Sequence, residues 1–300
     1  MFRRIPALLI VGAFSALTIL PAPGQGLAPV PNERPDVRIA ATVSTKPLAT
    51  GAARAIKEQK GLLVTVAAGL TSADALDALA QDQADIALLT RQLTIRDRAE
   101  YPDLDLVTVP IGMQVVALGI SNDLWTAGLR VVTPEQMRGI YEQKITNWKD
   151  VGGPDEKITL FTFEQGAGIW EIFATWLYVD NRKAPLPKVE AVATSEDARD
   201  DLEFTPGAIA PLGATFVDDA RCHALGIRCS DHVGRPTPME VAANRYPAVR
   251  PIIAVIVGRP ALAIRTVTEY LTGPAGQALV RSTGALGVDA FPKPSPTPTR

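Results

Sequence analysis

The chain has 300 residues, 47% of them hydrophobic, which is enough for a large core or for two lobes. Its formal net charge is −2 and its pI is near 5.8, so no basic field is present to attract nucleic acid or anionic lipid. Capture of a small anion by neutral dipoles and one or two charges is compatible with that balance.

Arg3 and Arg4 precede an apolar run from Ile5 to Leu20, and the small-residue stretch Pro21–Gly26 follows. That arrangement predicts a secretory signal over 1–26, cut near Gly26 or slightly later, and a periplasmic or secreted mature protein. The run is short for a stable membrane span, no second such run exists, and no Cys follows it to carry a lipid anchor. Removing two arginines takes the formal charge from −2 to about −4, which is still mild. Residues 27–36 are Pro-rich and polar and read as an extended leader.

Val37–Ala41 predicts the first strand, followed by a hydroxyl-rich turn from Thr42 to Leu48 and a helix over about 48–59. Leu62–Val66 predicts a second strand, Gly69–Ser72 a turn with Ser72 as cap, and Ala73–Gln81 a helix burying Leu76, Leu79 and Ala80. Asp85–Leu89 is a short apolar strand ending at Thr90-Arg91. This β-α-β-α-β order predicts a sheet covered by helices on both faces. The run Leu106–Ile120 is too long for an ordinary strand and carries Pro110 and Gly112 at its middle, so a break and a crossing between lobes are expected there.

In Thr133–Tyr141, Thr133 can cap, Pro134 fits the first turn, and Met137, Ile140 and Tyr141 share one face. A strand at Ile158–Phe163, helices at about 169–179 and 195–202, and a surface loop at Asn181–Pro187 follow. The Gly/Pro-broken apolar stretch Gly207–Phe216 predicts the return crossing, Val249–Val257 a buried strand, and about 261–272 a final helix before Gly273–Val280. The tail over 291–300 lacks apolar side chains to pack and reads as exposed and polyproline-like. Cys222 and Cys229 are the only cysteines, and in an oxidising compartment a disulfide between them is the first reading. His223 and His232 lie beside them, so a metal site is the alternative, although the pair is wider than usual structural zinc spacing.

The stretch Lys144-Ile145-Thr146-Asn147-Trp148-Lys149-Asp150-Val151-Gly152-Gly153 closely resembles a segment of type II periplasmic solute-binding proteins of the phosphate-binding kind. Asp85-Ile86-Ala87 with Thr90-Arg91-Gln92-Leu93-Thr94, Pro236-Thr237, Tyr246-Pro247-Ala248-Val249-Arg250-Pro251 and Leu271–Ala278 resemble further family segments in the same order. The resemblance covers most of the mature chain. It implies a two-lobed α/β type II periplasmic-binding-protein fold, each lobe a mixed sheet flanked by helices with a ligand cleft between them. The expected boundaries are 37–111 for the first part of lobe 1, 112–210 for lobe 2 and 211–290 for the second part of lobe 1. It also implies a monomeric, non-catalytic component of an ABC importer, using no cofactor or metal. Its partners would be phosphate or another oxyanion and a permease in the inner membrane.

In this family the oxyanion is held by backbone N–H groups at helix N-termini and by Ser/Thr hydroxyls, as expected from the unsatisfied first-turn amides and the helix dipole. Four loops correspond. The first supplies Thr42 and Ser44; the second keeps Ser72, loses the family's glycines and places Asp74 in the first helical turn. The third is Thr90-Arg91, with Arg91 either the cationic contact or part of an outward ion pair. The fourth keeps Gly166 and Gly168, but the family's Arg, Ser and Thr are here Phe163, Ala167 and Ile169. At ~1.5–3 kcal/mol per hydrogen bond to a charged ligand, three such losses cost orders of magnitude in affinity. Either Phe163, Ile169 and Trp170 wall a less charged or more apolar ligand, or they are core residues, the loop is packed shut and the cleft no longer takes small molecules.

Overall fold

The computed structural model describes residues 36–178, 184, 187–189 and 191–291. The expected signal segment, the leader up to residue 35, most of the 181–187 loop and the tail beyond Phe291 lie outside the described residues.

Strands β1 (Val37–Thr42), β2 (Val64–Leu70) and β3 (Ile86–Leu89) alternate with helices α1 (Lys46–Lys60), α2 (Ser72–Ala80) and α3 (Ile95–Glu100). The three strands are parallel, with β1 between β2 and β3. α1 buries Leu48, Ala52 and Ile56 against one face of this sheet, and α2 buries Leu76 and Leu79 against the other. Short parallel strands covered on both faces are accordingly almost wholly apolar, and all four residues of β3 are buried.

β4 (Leu106–Ile120) crosses the molecule as one strand of 15 residues. The expected break at its centre is instead a bulge: Pro110 faces Ile253 and Gly112 faces Ile252, leaving Ile111 unmatched. A bulge tolerates the missing proline N–H, so Pro110 bends the strand without ending it. A Cβ on Gly112 would lie 2.7 Å from the Leu286 carbonyl oxygen, so the glycine allows another strand to pair closely here.

After β4 come α4 (Asn122–Thr126), β5 (Val131–Val132), α5 (Pro134–Tyr141), β6 (Thr159–Leu160), β7 (Thr162–Phe163), α6 (Gly168–Tyr178), β8 (Ala191–Val192), α7 (Ser195–Phe204) and β9 (Ala208–Gly213). The chain continues through β10 (His223–Ala224), β11 (Gly226–Arg228), β12 (Val233–Gly234), α8 (Pro238–Ala242), β13 (Val249–Val257), α9 (Leu262–Thr272), α10 (Pro274–Ser282) and β14 (Ala285–Gly287). The main sheet runs β2-β1-β3-β13-β4-β9-β6, with β10 and β14 also paired to β4. The first part of β4 pairs with β13, and from Val116 onward it pairs with β9.

That change of partner divides the interior. Around β1, β2, β3 and β13, apolar side chains form two clusters, one on each sheet face. A separate cluster runs from Val115 to Ala248 and includes Tyr141, Trp148, Trp170, Phe173, Cys222, Ile227 and Tyr246. The fold is therefore two-lobed α/β, as the sequence predicts, but the return runs through β13: the stretch Gly207–Phe216, expected to cross back, instead forms β9 on the second half of β4 and packs into the second cluster.

Local chemistry explains the second core. Thr133 caps α5 in a capping box with Gln136, Pro134 occupies the first turn, and Met137, Ile140 and Tyr141 are buried as their spacing predicts. Trp148 is fully buried, and its indole N–H donates to the Gly207 carbonyl at 2.9 Å. The Trp loop is thus an anchor to the start of β9, with Gly152 at φ +87° ending its single 3-10 turn.

The cysteine expectation is corrected: Cys222 and Cys229 are free thiols. The residues between them run through β10 and β11, each committed to pairing, with β10 on β4 and β11 on β5 and β12. Extended chain rises by about 3.3 Å per residue, whereas disulfide partners need Cα atoms within about 7 Å. Cys222 is buried beside Leu225 in the second core, and burial raises its thiol pKa. Among the described residues, no group of His, Cys, Asp and Glu is arranged to hold a metal. No described helix is long and apolar enough to cross a membrane.

Candidate functional site

The chain runs from β1 through α1 to β2 on one side, then through α2 to β3 on the other side of β1. The strand order therefore reverses at β1, and the carboxyl ends of β1 and β3 border the crevice where ligands sit in open α/β sheets. The first three loops read from the sequence leave the carboxyl ends of β1, β2 and β3. They have different fates.

In the first loop, the Thr42 hydroxyl is turned inward, 3.0 Å from that of Thr45, which also donates to the Leu88 carbonyl at 3.4 Å. Thr42 is thus structural, closing the turn onto β3. Ser44 is half-buried and its hydroxyl has no hydrogen-bond partner among the described residues. The α1 that follows has no side-chain cap and no acidic residue in its first turn. Its positive dipole end is left uncompensated locally.

The second loop compensates itself. Thr71, not Ser72, caps α2, in a capping box with Asp74. Asp74 accepts from the Thr71 N–H and hydroxyl, and these bonds lower its pKa. Thr71 is the preferred cap because it stands one residue outside the helix with Asp74 at the third helical position. Ser72 instead accepts the Thr90 N–H at 3.2 Å and so ties the second loop to the third.

In the third loop Arg91 makes a bidentate pair with Asp97, at 2.6 and 2.8 Å. Asp97 also accepts from the Thr94 N–H and hydroxyl at the start of α3. The guanidinium beside it, with those two donors, holds the Asp97 carboxyl far below its usual range. Of the two readings of Arg91, the structure displays the ion pair.

The fourth loop meets the first. A Cβ built on Gly168 would lie 3.1 Å from the Ser44 Cβ and 3.4 Å from Nη2 of Arg250. Only a glycine brings the start of α6 this close to the β1 turn without displacement. Gly166, at φ +92°, makes the turn that delivers it. Ala167 accepts the Glu171 N–H at 2.9 Å and packs against the second core. Phe163 and Trp170 are buried in that core and Ile169 packs against it, so these side chains serve packing and not a ligand wall. Trp170 forms an aromatic cluster with Tyr141 and Phe173.

Arg250, Glu171 and Gln114, none of them singled out by the sequence reading, are bonded together next to this contact. Arg250 lies opposite Gln114 in the β13–β4 pairing, and its Nε donates to the Gln114 side-chain oxygen at 3.1 Å. Its Nη1 donates to Glu171 at 2.9 Å, joining β13 to the first turn of α6. Two neighbouring bonds hold this register: the Tyr246 hydroxyl donates to the Val116 carbonyl at 2.6 Å, and the Val116 N–H to the Ala248 carbonyl at 3.0 Å. The signal was present in the sequence, since an arginine within the apolar run Val249–Val257 needs a polar partner or a function. Two hollows have other linings: one of about 840 Å³ is bordered by Thr237, Met239 and Ala290, and one of about 600 Å³ by Ile140, Lys157 and Phe161.

A two-lobed α/β molecule whose loops follow the carboxyl ends of parallel strands at the point where strand order reverses has the architecture of a solute-binding protein. Residues 28–275 match the PBP superfamily domain, and the chain belongs to that superfamily. Among curated proteins it is similar to the phosphate-binding protein PstS of Bacillus subtilis (strain 168), 29% identical over 142 residues, 47% of this chain and 44% of that protein. It is also similar to PstS of Borreliella burgdorferi, 24% identical over 163 residues, 52% of this chain and 58% of that protein. The matched stretches span about half the length of these curated relatives. Among solved structures, an ABC-type phosphate transport receptor from Vibrio cholerae superposes with a TM-score of 0.64 at 23% identity, over 84% of this chain and 99% of that one. PstS from Borrelia burgdorferi gives 0.63 at 20% identity, over 84% and 98%. At such identities these likenesses define the fold.

Proposed function

We propose that this chain is the extracytoplasmic solute-binding component of an ABC importer and that its solute is a phosphate-type oxyanion. The observation that carries this reading is the meeting of Ser44 with Gly168, which joins the turn after β1 to the start of α6 across the two lobes. The free Ser44 hydroxyl and the helix starts of α1 and α6 supply neutral donors for an anion there. Gly166, Ala167 and Gly168 contribute backbone, while Thr42, Ser72, Thr90 and Arg91 are committed to bonds within the protein and lie outside the contact set. The relatives' names support the same solute class and an ABC permease as partner. Capture involves no chemical step. The lobes close by bending at β4 near Val115 and at the Ala248–Arg250 end of β13, where the apolar clusters change over.

Calorimetric titration of the purified chain with inorganic phosphate at low ionic strength tests this reading. Micromolar or tighter binding is expected, and no heat with phosphate would remove phosphate as the solute. A second reading is favoured by one observation: with Phe163, Ala167 and Ile169 packed against the second core, the fourth loop offers a ligand backbone but no polar side chain at these positions. It holds that the cleft serves a less charged solute or a protein partner, and binding of such a species in place of phosphate supports it.

A further inference from the structure

β13 is apolar along its length except at Arg250, whose side chain is only 18% exposed. A guanidinium in that position carries a large desolvation cost unless its N–H groups are matched. Two of its nitrogens are: Nε by Gln114 and Nη1 by Glu171. The third, Nη2, is buried and has no hydrogen-bond partner among the described residues. It lies 3.4 Å from the position a Cβ on Gly168 would take, a position that the Ser44 Cβ approaches to 3.1 Å. Gln114 and Glu171 hold two sides of the fork, so the remaining edge is fixed in place where the lobes meet. An edge of a fixed guanidinium beside a hydroxyl and a helix start is a donor set for an oxyanion.

We infer that Arg250 is the cationic contact for the bound oxyanion, supplying from β13 the charge that Phe163 cannot supply from the fourth loop, while Arg91 takes no part. Gln114 and Glu171 are positioning residues for it. This rests on the oxyanion reading above, which predicts binding without saying which arginine provides the charge.

The test is phosphate calorimetry on the full purified chain and three variants. Arg250→Gln is expected to weaken phosphate binding by about tenfold to a hundredfold. Arg250→Lys, which keeps the charge and loses the fork, should fall between it and the parent. Arg91→Gln should bind within about twofold of the parent, because Arg91 is committed to Asp97. Equal binding by Arg250→Gln and the parent overturns the inference and leaves the oxyanion reading intact. A loss confined to Arg91→Gln does the same.

If Arg250→Gln does not fold, the unmutated chain decides. Its Arg250 side-chain ¹⁵N resonance, assigned as the one absent from Arg250→Lys, should move on titration with phosphate and stay still if the inference is wrong. A parent chain that binds no phosphate overturns the phosphate assignment. The same resonance followed with sulfate then judges Arg250 separately: movement supports the oxyanion contact, and constancy with both anions overturns it.

Discussion

The four loops fall into two pairs, the second tied to the third and the first meeting the fourth, and the pairs use their polar groups in opposite ways. The second and third loops satisfy themselves: Thr71 with Asp74, Ser72 with the Thr90 N–H, and Arg91 with Asp97. The first and fourth loops, with β13 next to them, leave groups over: the Ser44 hydroxyl, the uncapped start of α1, and the buried Nη2 of Arg250 near Gly168. A donor already matched inside the protein gains little from a ligand, while an unmatched buried donor gains a full hydrogen bond. The same residue types therefore have different meanings: hydroxyl and arginine are structural on one side of the crevice and available on the other.

The sharpest test of the self-satisfied pair is Asp97→Asn. It breaks the bidentate Arg91 contact while Asp97 is largely buried, and is expected to cost about 2–3 kcal/mol in urea unfolding without changing phosphate affinity. A parallel loss of phosphate binding would merge the two pairs into one site. The pH dependence follows from the same carboxyl. Its folded pKa is depressed, so its contribution is complete above the ordinary carboxylate value and is lost as pH falls toward the depressed one. The stability gap between parent and Asp97→Asn should therefore narrow between about pH 5 and about pH 2, and a constant gap would show that Asp97 does not carry the charge.

On the available side, Gly168→Ala inserts a methyl 3.1 Å from the Ser44 Cβ and 3.4 Å from Arg250 Nη2, so both must shift. Phosphate affinity should fall by about tenfold, with little change in unfolding midpoint. Unchanged affinity would move the site away from this contact. Ser72→Ala, which leaves the Thr90 N–H without its acceptor, should cost about 1 kcal/mol in stability and leave phosphate titration curves unaltered. The smallest effect is expected from Ser44→Ala: a several-fold weaker phosphate affinity and no measurable loss of stability, since its hydroxyl has no hydrogen-bond partner among the described residues.

The fold was largely legible in the residues. The β-α-β-α-β start, the Thr133 cap and the Trp148 anchor all depend on local spacing, which sequence displays directly. The four loops were legible as places but not as roles. Ser72 precedes an apolar periodic stretch, the local pattern of a cap, yet Thr71 stands at the position whose side chain reaches the third helical amide. Arg91 could not be sorted between ligand and ion pair until Asp97 folded back across the start of α3. The cysteine pair looked joinable because their separation along the chain says nothing of the paired strands between them.

What the sequence determined alone is what short-range chemistry governs: periodicity, caps, turns, the family resemblance and the four segments that border the crevice. Which of those segments retains unmatched donors was decided by tertiary structure. Gln114, Glu171, Gly168 and Ser44 come from distant parts of the chain and meet Arg250 only where β4, β13, α1 and α6 converge. Hydrogen-bond satisfaction is a sum over neighbours in space, and only packing assembles those neighbours.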